Sequence, residues 1–322
     1  MQPNRDELLR AYRTMRAIRG FEERITKEFE AGNIPGFIHL YAGQEAVAAG
    51  VCAHLTDRDK IGSTHRGHGH CIAKGCSIKG MMHELMARAD GLCKGKGGSM
   101  HIADFDVGML GANAIVGGNP PICVGAALAA KSRGDDFVAV SFAGDGASNQ
   151  GTTFEAMNLA VVLQLPVIFV LENNGYGEAT GVEYHVGSKD MAGRAAAMGM
   201  PAEKVDGTDF FAVYQAAGQA VERARQGGGP AALEVVARRF GGHFVGDPQV
   251  YRSDDEREAT QGGDPLTRFR ERVLEGGILE TAQLDEIDQE VAAELDAAVD
   301  SALAAPKPTA ADLESDVYVA YA

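Results

Sequence analysis

The sequence contains no tryptophan, only five cysteines and no apolar run of the length that a membrane span needs, which is roughly 18 residues. The N-terminal stretch MQPNRDELLR also lacks the apolar core of a secretory signal peptide. The odd number of cysteines, all between positions 52 and 123, does not fit a disulfide framework. We therefore expect reduced thiols in a cytoplasmic protein that does not enter a membrane.

Positive charge is also scarce. Lysine and arginine number 30 against 45 aspartates and glutamates, which gives a formal net charge of −15. Such an excess repels the phosphates of nucleic acids and anionic lipids, so we expect neither as a partner. The 322 residues are 45% hydrophobic, which is enough for a sizeable core.

From about residue 120 onward, strand-like and helix-like segments alternate. Apolar runs at 137–143, 166–171 and 230–239 are separated by helical patterns at 150–163 and 209–229. Short, continuously apolar strands between helices predict a mainly parallel sheet with helices on both faces.

Helical patterns also flank this central region. An amphipathic helix is predicted at 5–31, and shorter helices are predicted at 43–55, 78–89 and 120–131. Near the C-terminus an apolar stripe at helical spacing either packs on its own domain or meets a partner subunit. The stripe consists of Leu284, Ile287, Val291, Leu295 and Val299. We predict one α/β domain over residues 1–322 with helical extensions at both ends.

A carboxylate interrupts the glycine-rich turn after the first predicted strand. GDG occupies positions 144–146, and ENNGYG at 172–177 closes the next strand. Ligands bind beyond the carboxyl ends of parallel strands, and sequential strands are usually neighbours, so Asp145 and Asn174 should face each other across a crevice. Their hard oxygens suit Mg²⁺, which completes its coordination with phosphate oxygens and water. The pattern therefore predicts a metal-bridged diphosphate site.

Two other interpretations of this turn stay open at this point. An aspartate after a strand can simply cap the following helix. GDGASN also nearly matches the dinucleotide fingerprint G-x-G-x-x-G, with Glu172 as a ribose contact. The dinucleotide interpretation is weakened because Asn149 replaces the third glycine and an unneutralised Asp145 would face the pyrophosphate.

The stretch GDGASNQGTTFEAMNLAVVLQLPVIFVLENNGYG resembles the thiamine-diphosphate signature, GDG followed by NN. GFIHLYAGQEAVAAGV, STHRGHGH, CKGKGGSMHIAD, AIVGG and RRFGGHFVGDPQVYR support the resemblance in the same order. Together these motifs, over roughly residues 5–320, resemble the alpha subunit of the thiamine-diphosphate-dependent 2-oxo acid and acetoin dehydrogenase complexes. The implied fold is the thiamine-diphosphate-binding fold.

The resemblance implies a role for each matching residue. Asp145, Asn174 and the carbonyl of Tyr176 would bind Mg²⁺. The diphosphate would lie against Gly144, Gly146 and Ala147, with Arg66 and the adjacent His65, while Ile115 and Val116 would support the aminopyrimidine ring. His39 and His243 would lie at the reacting carbon, with His243 the better candidate for proton transfer or stabilisation of the intermediate.

Two positions depart from the family pattern. His65 stands where the family often has tyrosine, which affects one phosphate hydrogen bond. Phe244 stands where animal pyruvate dehydrogenases have a regulatory serine, so we expect that phosphorylation switch to be absent.

The resemblance also implies partners. The family takes the glutamate that activates thiamine from a separate beta subunit, in an α2β2 heterotetramer, and no motif here clearly supplies one. Glu45 and Glu155 are the weaker candidates within this chain. The product would pass to the lipoyl domain of an acyltransferase.

The small-molecule substrate implied is acetoin, with pyruvate or a branched-chain 2-oxo acid as alternatives. STHRGHGHCIAKG and GMLGANAIVGG look most like the acetoin members. An NAD-dependent oxidoreductase and a non-catalytic regulatory subunit are the remaining alternatives.

The other histidines have several interpretations. HRGHGH at positions 65–70 is either an anion pocket around Arg66, a structural segment or, least in favour, a zinc site. His101 is either a site residue or part of a loop. His54, His83 and His185 are expected to be ordinary surface or helix residues. The loop 240–263, with Asp247, Tyr251 and Arg252, is either mobile or orders over a cofactor and receives the lipoyl domain.

Overall fold

The computed structural model describes residues 2–316. Its main sheet contains the strands β1 (Lys60–Gly62), β2 (Met109–Gly111), β3 (Ala139–Gly144), β4 (Val167–Asn173), β7 (Ala202–Asp206) and β8 (Ala231–Val236), and a small antiparallel hairpin contains β5 (Tyr176–Gly177) and β6 (Thr180–Gly181). The main sheet is parallel throughout, in the order β2–β1–β3–β4–β8–β7. The predicted adjacency of the strands before GDG and ENNGYG, β3 and β4, is confirmed.

The helices in chain order are α1 (Arg5–Glu30), α2 (Glu45–Cys52), α3 (His68–Lys74), α4 (Ile78–Leu85), α5 (Asn119–Arg133), α6 (Gly151–Val162), α7 (Val182–His185), α8 (Met191–Ala197), α9 (Phe210–Arg225), α10 (Asp254–Gln261), α11 (Pro265–Glu275) and α12 (Thr281–Ala304).

Successive side chains of a strand point to opposite sides of the sheet, so an apolar strand gives both faces an apolar surface. Helices cover both of these faces. Val140 and Phe142 of β3 lie in one apolar cluster with α1 and α9. Ala139 and Ala143 of the same strand lie in a second cluster with α5 and α6. Burial on both faces explains why β3 and β4 are continuously apolar, and the predicted α/β fold class is confirmed.

The two predicted helical extensions pack against each other. Asn4 and Glu7 form a capping box that starts α1, with Glu7 N donating to Asn4 Oδ1 at 3.0 Å. A Cβ built at Gly20 would lie 2.7 Å from Leu295 Cδ1, so glycine permits close approach of α1 and α12. The apolar stripe of α12 faces α1 and α4 and thus serves the chain's own fold.

Several elements differ from the sequence prediction. The predicted helix 78–89 ends at Leu85, because Ala87 has a φ of 53° and the chain turns into a glycine-rich loop. The predicted loop 240–263 contains α10, a highly charged helix without an apolar stripe. Strand β7 was missed because it is a polar edge strand whose sequence, AEKVD, lacks the apolar pattern. The short elements α3, α8, β1 and β2 were also not predicted.

Within residues 2–316 the helices are all too short or too polar to cross a bilayer. All five cysteines are free thiols, as predicted. The cytoplasmic location and the single domain over 1–322 stay predictions, and Met1 and residues 317–322 lie outside the described part.

Candidate active site

The tips of β3 and β4 end side by side at one edge of the sheet. Gly144 pairs with Glu172 in the parallel register, and Asp145 N donates to Glu172 O at 3.2 Å. The turns beyond these tips come into backbone contact, since a Cβ built at Gly177 would lie 3.3 Å from Gly146 Cα. A cavity of about 470 Å³ opens at this edge, which is where an open parallel sheet binds ligands.

All twelve predicted site residues line this one cavity. They come from six separate segments of the chain, between residues 39 and 243. These residues are His39, His65, Arg66, Ile115, Val116, Gly144, Asp145, Gly146, Ala147, Asn174, Tyr176 and His243.

Asp145 is buried and has an unsatisfied oxygen. Its Oδ1 accepts from Gly146 N at 2.7 Å, but Oδ2 is buried without a hydrogen-bond partner. Burial raises the pKa of this carboxyl, and His185, 3.9 Å away, opposes that shift. A buried carboxylate oxygen without a partner is unfavourable, so the position suits a bound cation.

Asn174 presents its amide oxygen beside Asp145. Its Nδ2 donates to Gln44 Oε1 at 3.2 Å, while Oδ1 has only a long contact, 3.4 Å, with Tyr176 N. The phenol of Tyr176 points away and donates to Glu256 Oε2 at 2.9 Å. A carboxylate, an amide oxygen and a backbone carbonyl are hard ligands, and this donor set fits Mg²⁺.

The backbone after β3 leaves room for an anion. A Cβ built at Gly144 would meet no protein atom within 4 Å, although this residue lines the cavity. A short 3₁₀ turn, Ala147–Asn149, leads into α6. The exposed backbone and the following helix start form the type of cradle that binds phosphate groups.

Arg66 is buried beside the cavity with its terminal nitrogens already bonded. Nη2 donates to His243 O at 2.9 Å, and Nη1 donates to Leu40 O. Burial, assisted by the nearby charge of Arg239, lowers the pKa of Arg66 to about 9. Each terminal nitrogen carries a second N–H, so these two bonds leave Arg66 with hydrogen-bond donors as well as its positive charge beside the cavity.

Three imidazoles form a cluster at the cavity wall. The ligand nitrogens of His39, His65 and His243 lie within 4.8 Å of one another. Burial, together with the charge of Arg66, lowers the pKa of His39 to about 3, of His65 to about 2 and of His243 to about 4. All three rings are therefore uncharged at pH 7, and the positive charges of Arg66 and Arg239 oppose a metal ion at the cluster.

The zinc interpretation of HRGHGH is wrong, because its histidines point in different directions. His65 faces the cavity, whereas His68 contacts Glu22 at 3.1 Å and Ser99 at 2.9 Å. His70 bonds Ser63 Oγ at 2.7 Å and the Tyr41 hydroxyl at 3.0 Å.

The remaining histidines divide between the site and the scaffold. His101 is exposed and does not line the cavity, which supports the loop interpretation. His54 bonds Tyr214 O at 2.7 Å, and His83 is buried against Asp90 and Ser301. His185 lies on α7, which fits the expected helix residue, but it also lines the cavity beside Asp145, which was not expected.

Among the cavity-lining residues outside the predicted set are two buried charged side chains, Glu172 and Arg239. Glu172 was weighed only as a ribose contact, but it is buried at the tip of β4 and accepts a hydrogen bond from Tyr41. Arg239 is buried, with Nε unpartnered and Nη2 donating to the Tyr251 hydroxyl at 2.8 Å. The position of Arg239 just beyond the carboxyl end of β8 was a signal in the sequence, because the ends of parallel strands meet at this edge.

Ile115 and Val116 form an apolar rim on the cavity, with 70% and 47% of their surface exposed. Such exposed apolar side chains at a cavity mouth are typical of surfaces that a ligand or partner covers. Neither Glu45 nor Glu155 lines the cavity. Glu45 is buried in an ion pair with Arg19 at 2.6 Å, and Glu155 is exposed on α6.

The loop that carries His243 is fixed by Asp247. The Asp247 carboxylate accepts from His243 N and from the Tyr251 hydroxyl, both at 2.6 Å. Val245 N also donates to Ile38 O at 2.9 Å. These bonds place His243 next to His39 at the cavity wall.

Comparisons with known proteins find similar chains over nearly the full length. The chain is 53% identical to the alpha subunit of acetoin:2,6-dichlorophenolindophenol oxidoreductase from Cupriavidus necator, over 99% of this chain and 96% of that protein. It is also 53% identical to the Bacillus subtilis protein of the same name, over 98% and 95%. Identity to the alpha subunit of the pyruvate dehydrogenase E1 component from Rhizobium meliloti is 40%, over 98% and 90%.

The family model described as "Dehydrogenase E1 component" matches residues 13–311. The match spans the strand tips, the cavity and the histidine cluster. The family predicted from the sequence motifs is thus confirmed, and this chain belongs to the dehydrogenase E1 component family.

Proposed function

We propose that this chain is the alpha subunit of a thiamine-diphosphate- and Mg²⁺-dependent dehydrogenase component that cleaves acetoin. It works with a beta subunit in an α2β2 heterotetramer and transfers the two-carbon unit to a lipoyl group. The observation that carries the proposal is the buried, unpartnered Oδ2 of Asp145, which lies among all the other predicted cofactor residues. A cation bridging to a diphosphate satisfies that oxygen and removes its repulsion of the anion.

The residues of the chain divide the work of holding the cofactor. Asp145, Asn174 and the Tyr176 carbonyl bind the metal, and the backbone from Gly144 to Ala147 approaches the diphosphate. Arg66 contributes positive charge from its buried position. Thiamine diphosphate, when bound, supplies a carbon nucleophile that adds to the carbonyl of the substrate.

The uncharged histidine cluster favours acetoin over a 2-oxo acid. His39, His65 and His243 each offer one N–H donor and one acceptor nitrogen when neutral, which suits a carbonyl and a hydroxyl group. The names of the two 53% identical relatives support the same substrate.

The role of His243 follows from its depressed pKa of about 4. A neutral imidazole is a poor acid at pH 7 and a good hydrogen-bond partner. We assign His243 to hydrogen bonding with the substrate oxygen, and its buried, unpartnered Nδ1 has the capacity for that bond.

The beta subunit supplies the activating glutamate. Of the two glutamates that line the cavity, Glu172 is buried and bonded to Tyr41 and Glu178 is exposed to solvent. Glu45 and Glu155 lie away from the cavity, which supports a partner as the source. The exposed rim of Ile115 and Val116 offers that partner an apolar surface. The lipoyl domain approaches over the loop that carries His243.

The test uses the full chain produced together with its beta subunit. Calorimetry measures thiamine diphosphate binding in the presence of Mg²⁺, and dye reduction with an artificial electron acceptor compares acetoin, pyruvate and a branched-chain 2-oxo acid. Asp145→Asn should weaken binding at least tenfold, because it removes the charge that holds the metal. Asp135→Asn, at an exposed aspartate outside the cavity, is the matched control.

The outcomes separate the alternatives. Turnover of acetoin that exceeds turnover of pyruvate supports the proposal, and the reverse order assigns a 2-oxo acid instead. Dinucleotide binding that needs no Mg²⁺ supports an NAD-dependent enzyme. Cofactor binding without turnover of any substrate indicates a regulatory subunit, and unchanged binding by Asp145→Asn contradicts the metal site.

A further inference from the structure

We propose that His185 is an additional cofactor-binding residue that donates a hydrogen bond from Nε2 to a diphosphate oxygen, and that Arg194 and Asn149 fix the ring in the required tautomer. The inference rests on the proposed function and deepens it.

His185 reaches the cavity through the hairpin that follows β4. Strands β5 and β6 fold back on themselves, and the short α7 brings the imidazole over the glycine turn. Its side chain is 14% exposed, and a Cβ built at Gly177 would lie 3.3 Å from its Nε2. The ring thus lines the cavity immediately beside the proposed metal ligands.

The tautomer of His185 follows from a chain of three side chains. Arg194 Nη1 donates to Asn149 Oδ1 at 2.8 Å, and this donor fixes which end of the amide is oxygen. The amide nitrogen Nδ2 therefore faces His185 Nδ1, at 2.8 Å. Since an amide nitrogen can only donate, Nδ1 accepts and the ring proton lies on Nε2.

The proton on Nε2 has no acceptor within residues 2–316. Nε2 is buried and unpartnered, and its distance to Asp145 Oδ1, 3.9 Å, is too long for a hydrogen bond. Asp145 Oδ1 already accepts from Gly146 N. The buried N–H of Nε2 would therefore be stabilised most by a hydrogen bond to an anionic oxygen in the cavity.

The same geometry excludes His185 as a metal ligand in this tautomer, because the nitrogen that faces the cavity carries a proton. The structure around Asp145 therefore offers two complementary halves. Asp145 and Asn174 present oxygens to a cation, and His185 presents a hydrogen to an anion. A metal diphosphate matches both halves at once.

The test measures the binding affinities of two Mg²⁺-bound probes, thiamine diphosphate and inorganic diphosphate, for the full chain assembled with its beta subunit. His185→Ala should weaken both probes by about tenfold or more, the typical effect of losing a hydrogen bond to a charged group. His185→Gln retains an N–H donor and should recover most of the affinity. His54→Ala, at a half-buried histidine outside the cavity, should leave both affinities unchanged.

A second measurement addresses the tautomer directly. In protein labelled with ¹⁵N-histidine, NMR should find the His185 proton on Nε2, and Arg194→Met should relax this preference by freeing the Asn149 amide to turn. A proton found on Nδ1 in the unmodified protein overturns the inference. This readout stays valid even if His185→Ala fails to fold.

The binding results separate failure of this inference from failure of the proposed function. If the unmodified assembly binds both probes and His185→Ala binds them equally well, the inference alone is wrong. If the unmodified assembly binds no thiamine diphosphate with Mg²⁺, the proposed function is wrong and the inference falls with it.

Discussion

Glu84 organises the glycine-rich loop of residues 91–98, and its replacement by glutamine tests how that loop is held. The carboxylate is completely buried at the end of α4. Oε2 accepts from Cys93 N at 2.7 Å and Gly95 N at 2.8 Å. Oε1 accepts from Gly97 N at 2.7 Å and Gly98 N at 3.0 Å.

The magnitude follows from these four bonds. Glu84→Gln has almost the same shape and keeps one oxygen, but it turns an NH₂ group toward two backbone N–H donors. Two charge-assisted bonds are lost, each contributing about 1.5–3 kcal/mol, so we expect destabilisation of roughly 3–6 kcal/mol. This is a large fraction of the roughly 5–15 kcal/mol by which domains are stable.

Urea unfolding followed by circular dichroism measures this change. Glu271→Gln is the matched control, since Glu271 is an exposed glutamate on α11 and should shift stability by less than about 0.5 kcal/mol. Because Met100 lines the cavity just after this loop, Glu84→Gln should also weaken cofactor binding. A destabilisation below about 1 kcal/mol would refute the argument that the carboxylate holds the loop.

Three further predictions concern the histidine cluster, a glycine contact and the thiols. The cluster histidines have folded pKa values near 2–4, so below pH 6.5 the unfolded chain binds protons that the folded chain does not. The free energy of unfolding then decreases as pH falls from 6.5 towards 4. The upper limit is about 1.4 kcal/mol per pH unit for each ring, and solvent screening of these partly exposed rings reduces it. A variant with all three rings replaced by glutamine should show a shallower pH dependence of its melting temperature, and an equal slope would contradict this. Gly69→Ala should destabilise the fold, since its Cβ would lie 2.0 Å from the Tyr41 ring; calorimetry that finds an unchanged melting temperature would count against the packing described. Native protein should react with a thiol reagent at Cys93 at most, because the other four cysteines are buried; mass spectrometry that finds rapid modification of Cys123 would contradict their burial.

The strand tips and their ligand residues could be predicted because local patterns determine them. Apolar runs define β3 and β4, and the rule for parallel sheets brings Asp145 and Asn174 to one edge. Two short stretches, GDG at 144–146 and ENNGYG at 172–177, were therefore enough to place Asp145 and Asn174 in one cavity.

The place of His185 in the cavity could not be predicted. It depends on the hairpin of β5 and β6, whose strands are two residues long and have no apolar pattern. Arg66 lines the cavity as expected, but its two bonds to the backbone carbonyls of Leu40 and His243 depend on tertiary packing and could not be read from the sequence. Strand β7 and helix α10 were missed for a related reason. Their polar sequences acquire regular structure from neighbouring elements and not from their own periodicity.

The bonds around Asp247 have a kinetic consequence. Because this carboxylate already fixes the loop that carries His243, most of the conformational entropy of ordering that loop is lost when the chain folds. Phe244, the next residue of this loop, packs edge-on against Phe37 with the ring centroids 5.7 Å apart. Cofactor association should then proceed in one exponential phase whose rate rises linearly with cofactor concentration, and Asp247→Ala should add a slower, concentration-independent phase in stopped-flow fluorescence.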